Sequence, residues 1–146
     1  MQAKVQQEMY AAMKERRTDE AAALRLVLSA LKSAAIESRK DLTDDESVAV
    51  LQREAKKRRE AETAYRDAGR TDRADKEAYE LSVISRYLPE TLGEDELAKL
   101  VDEAVAATGA TSPKEMGKVM GMVMGKVKGR ADGNDVRRLV QARLSG

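Results

Sequence analysis

Only two prolines interrupt the 146 residues, at positions 89 and 113. Proline removes an amide donor and clashes with the preceding helical turn, so its scarcity leaves long stretches free to be continuous helix. Those stretches are filled by Ala, Leu, Glu, Lys and Arg, the strong helix formers, whereas strand formers are scarce and aromatic residues make up 3%. The chain is therefore predicted to be all-α.

Apolar spacing and capping signals divide it into seven helices. The first covers about residues 2–16, with Val5, Met9 and Met13 on one stripe. Thr18 or Asp19 is the expected cap of the second, whose Leu24, Val27, Leu28, Leu31 and Ala35 follow helical spacing. Thr43 and Glu46 form a capping box for the third, which runs to about residue 68 and stops at Gly69. The fourth spans about residues 72–87 and turns Leu81, Ile84 and Leu88 inward. Pro89 is the expected boundary. Beyond it, a fifth helix from about Glu94 to Ala107 carries Leu97, Leu100, Val101, Ala104 and Val105 and ends at Gly109. Ser112-Pro-Lys-Glu115 reads as a second capping box opening the sixth. Asp132 caps a seventh with Val136, Leu139 and Val140. Four helices in residues 1–90 and three in residues 91–146 are expected.

Cys, His, Trp and Phe are absent. No imidazole base, thiolate nucleophile or Cys/His zinc site can exist, which excludes Ser–His–Asp and Cys–His catalysis. No catalytic residue, metal site or cofactor is expected, and neither amidase, glutaminase nor ATPase activity. No apolar run approaches a membrane span and no targeting segment is visible, so a cytoplasmic protein without membrane association is expected. Formal net charge is +1, but residues 117–146 carry net +5 and the remainder net −4. A basic end on a weakly acidic body fits an anionic partner as well as a solvated face.

Residues 116–131 repeat in fours: Met-Gly-Lys-Val, Met-Gly-Met-Val, Met-Gly-Lys-Val, Lys-Gly-Arg-Ala. Gly117, Gly121, Gly125 and Gly129 thus trace a slow spiral along one side of a helix, since each four-residue step advances about 40°. An interior glycine costs roughly 1 kcal/mol relative to alanine, which implies that something approaches this backbone closely. The favoured candidate is a neighbouring helix; the alternative is a nucleic-acid backbone. Methionines 116, 120, 122 and 124 read as gap-filling beside the glycines. The stretch Lys126–Gly133 is a basic turn entering a helix N-terminus, where free amides with Lys126, Lys128 and Arg130 suit a phosphate. A nucleotide loop is excluded, because Met120 and Val127 stand where it needs Gly and Ser/Thr. In the first half, Arg53, Lys56, Lys57 and Glu60 share a solvated face. Arg58 and Arg59 flank the apolar stripe, and Glu77 and Glu80 are read as members of interhelical ion pairs. Tyr65, Tyr79 and Tyr87 are read as packing residues.

The run Met116-Gly-Lys-Val-Met-Gly121, followed by Lys126-Val-Lys-Gly-Arg-Ala-Asp-Gly133, resembles the signature of the GatB/YqeY family. Ala68-Gly-Arg70, Glu77, Glu80 and Tyr87-Leu-Pro89 resemble its N-terminal part. The resemblance implies an N-terminal four-helix bundle followed by a small three-helix orthogonal bundle. It also implies kinship with the tail of one subunit of the glutamine-dependent aspartyl/glutamyl-tRNA amidotransferase, a tail that helps hold tRNA. Carbon–nitrogen ligase activity with glutamine as amido-N-donor comes with that kinship as an association, because the remainder of that subunit is not in this chain. The expected role is a non-catalytic tRNA-binding accessory module without DNA specificity. Its contacts would come from Lys118, Lys126, Lys128, Arg130, Arg137 and Arg138. The alternative is a helical adaptor that docks on an aminoacyl-tRNA synthetase or amidotransferase without touching RNA.

Overall fold

The computed structural model describes residues 1–145. Among them lie seven α-helices, one 3-10 turn and no strand. Two compact units divide the chain, Met1–Leu88 and Pro89–Gly146. No helix among the described residues is long and apolar enough to cross a membrane.

The first unit contains α1 (Gln2–Lys14), α2 (Thr18–Ser38), α3 (Asp44–Asp67) and α4 (Thr71–Ser85). Helix α2 packs on each of the other three, and α3 runs beside α4. Its core holds Val5, Leu24, Val27, Leu31, Leu51 and Val83, all but sealed from solvent. Met13, expected on the α1 stripe, is 47% exposed, and Ala12 takes the inward position. The α1 core stripe is Val5, Met9, Ala12, and Met13 lies ~70° off its centre.

The Thr43 capping box forms as expected. Thr43 Oγ1 accepts from the Glu46 amide at 3.1 Å and Glu46 Oε1 accepts from the Thr43 amide at 3.1 Å. The expected cap of α2 does not form. Thr18 is already helical and Arg17 holds the cap position without a side-chain cap bond. Glu15, Arg16 and Arg17 make the turn between α1 and α2, with Arg16 at φ 60°, and none of the three carries a hydroxyl to place over the first amides. Arg17 instead pairs with Glu15 and Glu20, and Arg86 reaches Glu20 Oε1 at 2.8 Å. Arg86 first, then Arg17, hold the Glu20 carboxyl below the usual carboxylate range.

Arg58 supplies the expected ion pair between α3 and α4, lying 3.4 Å from both Glu77 and Glu80 and 3.8 Å from Glu54. Arg59 points to solvent. Burial pushes the Glu80 carboxyl up against the attraction of Arg58, with the Glu77 charge adding to the rise. Tyr87 is buried, and its hydroxyl donates to the Glu8 carboxylate. Burial, then that carboxylate, raises the phenol above its ordinary pKa. Tyr65 is half-buried, whereas Tyr79 is 38% exposed.

The second unit contains α5 (Glu94–Thr108), a 3-10 turn (Pro113–Glu115), α6 (Met116–Val127) and α7 (Gly133–Ser145). Each of the three α-helices packs on the other two. Val101, Val119, Val123, Val127, Val136 and Val140 form the centre of its core. The expected capping box at Ser112 does not form: Ser112 makes no cap bond, and Glu115 Oε2 accepts from the Thr111 amide at 2.7 Å. With its acceptor turned one residue upstream, the segment closes as a 3-10 turn before α6 begins.

Candidate nucleic-acid interface

On α6 the valines and glycines divide the helix. Val119, Val123 and Val127 are fully buried. Gly117, Gly121 and Gly125 stand two residues away, about 200° round the axis, and are exposed. A Cβ built on any of the three meets nothing within 4 Å. The expectation that a neighbouring helix packs on these glycines is therefore overturned. The signal was in the repeat itself, because a valine stripe facing the core places the glycine stripe opposite. Gly129 is not part of the stripe. It has φ 83° in the turn after α6, next to Lys128, which caps the helix in the left-handed region at φ 43°. Met116, Met120 and Met122 are half-buried against the core as expected, while Met124, beside the glycines, is 38% exposed.

The predicted cations divide into two groups. Lys118, Lys126, Lys128 and Arg137 are exposed and have no ion-pair partner among the described residues. Lys118 borders the glycine stripe, and Lys126 lies about 80° farther round the helix. No acidic residue occurs between Met116 and Val127 to neutralise them. Arg138 is exposed but lies 3.8 Å from Asp135 and 3.9 Å from Glu94.

Arg130 departs furthest from expectation. It is half-buried, its Nε donates to the Glu90 carbonyl at 2.9 Å, and its own carbonyl accepts from the Leu92 amide at 2.8 Å. It ties the segment before α5 to the turn after α6, so it is a structural residue as well as a cation. Nothing in the local sequence marks this role, because both bonds span about forty residues. The free amides expected at the start of α7 are also partly spoken for: Asp132 Oδ1 accepts from the Asn134 amide at 2.7 Å. A phosphate there would meet a carboxylate, so lysine side chains rather than the helix end must supply attraction at this turn. Among the described residues no group of three or more Asp or Glu is placed to hold a metal ion.

The profile of the Yqey-like protein family matches residues 2–144 of this chain. An uncharacterized protein of Schizosaccharomyces pombe is 33% identical over 90 residues, which is 62% of this chain and 73% of that protein.

Proposed function

The chain belongs to the Yqey-like protein family, and from that premise we propose that it is a non-catalytic tRNA-binding accessory module whose second unit makes the contact. The observation that carries this reading is the pairing of bare backbone with unspent charge on α6. Three exposed glycines leave open space above the helix, Lys118 borders them, and Lys126, Lys128 and Arg137 of the same unit are exposed without an ion-pair partner among the described residues. Up to about 3 kcal/mol of helix propensity is given up at those glycines, and among the described residues nothing lies within 4 Å of where their side chains would stand. A polyanionic backbone lying close to the helix, with lysines on its phosphates, explains both features. The resemblance of the same residues to the signature of the GatB/YqeY family, which includes the amidotransferase tail, supports tRNA among the possible polyanions. The carbon–nitrogen ligase association enters in the same way, as the company this module keeps rather than as its own chemistry.

A filter-binding assay with total tRNA tests the proposal. Replacing Lys118, Lys126 and Lys128 by Ala removes three phosphate contacts without touching the core. It should weaken binding and flatten the log–log salt dependence by about two to three units. Arg130 is left intact because its loss would also disturb the fold. Equal binding by wild type and the triple variant at two salt concentrations would falsify the tRNA reading. The exposed Met124 beside the glycines favours one second reading, an adaptor that receives a helix of a synthetase or amidotransferase there. Binding to such a protein that survives the triple lysine variant but is lost in Gly121→Leu supports the adaptor.

A further inference from the structure

The outward face of α2 is free of charge where a solvated helix of this chain would carry it. Ala22, Leu26, Ser29, Ser33 and Ile36 recur at spacings of four and three, and all are exposed, Leu26 by 42% and Ile36 by 77%. At 100° per residue they fall within an arc about 80° wide, the seam of a two-stranded coiled coil. The outward face of α3 carries Arg53, Lys56, Lys57 and Glu60 instead, all exposed. In a chain 36% charged, five uncharged outward positions over two heptads set this face apart.

Charge identifies the occupant. With Leu26 and Ser33 at a positions and Ala22, Ser29 and Ile36 at d, Lys32 falls at g and Glu37 at e. Both are exposed, and neither has an ion-pair partner among the described residues. In a parallel pair of such helices, a g residue meets the e residue five positions later on the other strand. Lys32 of one copy then meets the partner's Glu37, and the two-fold axis repeats the pair. An antiparallel pair centred on Ser29 instead sets Arg25 beside the partner's Lys32 and Asp19 beside the partner's Glu37, like charge against like.

We propose that α2 is a self-association face, on which a second copy of this chain docks in parallel, two-fold register with Lys32 paired to the partner's Glu37. The seam is about 21 Å long and carries two serines, so it is smaller than a standard interface. Association belongs in the micromolar-to-millimolar range, responsive to local concentration rather than permanent.

Sedimentation equilibrium of the full chain up to about 1 mM, at low salt, tests this. Wild type should dimerise. Lys32→Glu and Glu37→Lys should each weaken the dimer by about three- to tenfold, and the double variant should restore it. The chain has no cysteine, so Ser33→Cys supplies a unique reporter. In the parallel register the two introduced thiols face each other within disulfide reach and oxidise to a covalent dimer. In the antiparallel register they lie about 12 Å apart along the seam and do not. The altered positions are exposed, so thermal unfolding of each variant should match wild type and confirm that the fold is intact. A monomer at 1 mM overturns the proposal. So does tighter association by Lys32→Glu, which is the antiparallel signature, or a double variant that stays as weak as the single ones.

Discussion

Gly125 and Lys128 lie three residues apart and show how position decides what a residue type does. Gly125 lies in the last turn of α6 with open space where a side chain would stand. Gly125→Ala should therefore raise the stability of the second unit by up to about 1 kcal/mol, or roughly 4–8 °C in Tm for a unit of this size. If tRNA lies on this face, the same change weakens binding, so stability and affinity move in opposite directions. Lys128 presents the converse case. It holds φ 43°, a conformation that is unfavourable for a residue with a Cβ by about 1 kcal/mol and free for glycine. Lys128→Gly should stabilise the unit while removing the phosphate contact proposed for Lys128, and Lys128→Val should destabilise it while removing the same proposed contact. Melting curves and salt-dependent binding of the two variants separate strain from charge. The alternation of Val and Gly carries the outward direction of the stripe, but the helix-propensity cost alone points to a neighbouring helix, the expectation that the structure overturns. The left-handed turn was not readable at Lys128, because a lysine carries no mark of positive φ.

At the scale of elements, helix ends were legible where the capping groups belong to one another and illegible where a neighbour intervenes. Thr43 and Glu46 satisfy each other within four residues, so the box could be read from spacing alone. Thr43→Ala should cost about 1 kcal/mol of first-unit stability, measured by chemical unfolding. At Ser112 the same signature failed because Glu115 bonds the Thr111 amide instead. At α2 the expected Thr18 or Asp19 cap failed because the helix starts one residue early, with Arg17 at the cap position; Arg17 and Arg86 gather instead on Glu20, and Arg86 lies too far along the chain for any local rule. That cluster has a pH signature. The Glu20 carboxyl is held below the ordinary range by Arg86 and Arg17, so its stabilisation is complete above about pH 4.3. It is lost as pH falls through the lowered folded value. The arginines are about half exposed, so solvent screening keeps the effect near 1 kcal/mol or less. Glu20→Gln should melt below wild type at pH 7, and the two curves should converge under strong acid.

At the scale of the whole molecule, two cores were legible as two sets of apolar stripes with Pro89 between them. Neither stripe nor proline announces how the first residues of the second unit are held. They are tied down within that unit by Arg130, which holds the Glu90 carbonyl through its Nε and the Leu92 amide through its own carbonyl. An exposed connector at Pro89 would be the first place a protease cuts. A connector held at two points must open before it enters a protease active site, and that opening breaks both bonds. Glutamyl endopeptidase reads this directly, because Glu90 is exposed and its carbonyl is both the scissile group and the Arg130 acceptor. Arg130→Ala removes the side-chain bond and leaves the backbone one. At about 1 kcal/mol for a partly exposed hydrogen bond, opening becomes roughly fivefold more frequent. Cleavage after Glu90 should accelerate by a similar factor, since proteolysis follows the open population when reclosure is fast. Cuts after Glu54 and Glu62, inside α3, should keep their wild-type rates. Equal cleavage after Glu90 in both proteins would mean that the Leu92 bond alone holds the connector and that the Arg130 side chain adds nothing to it.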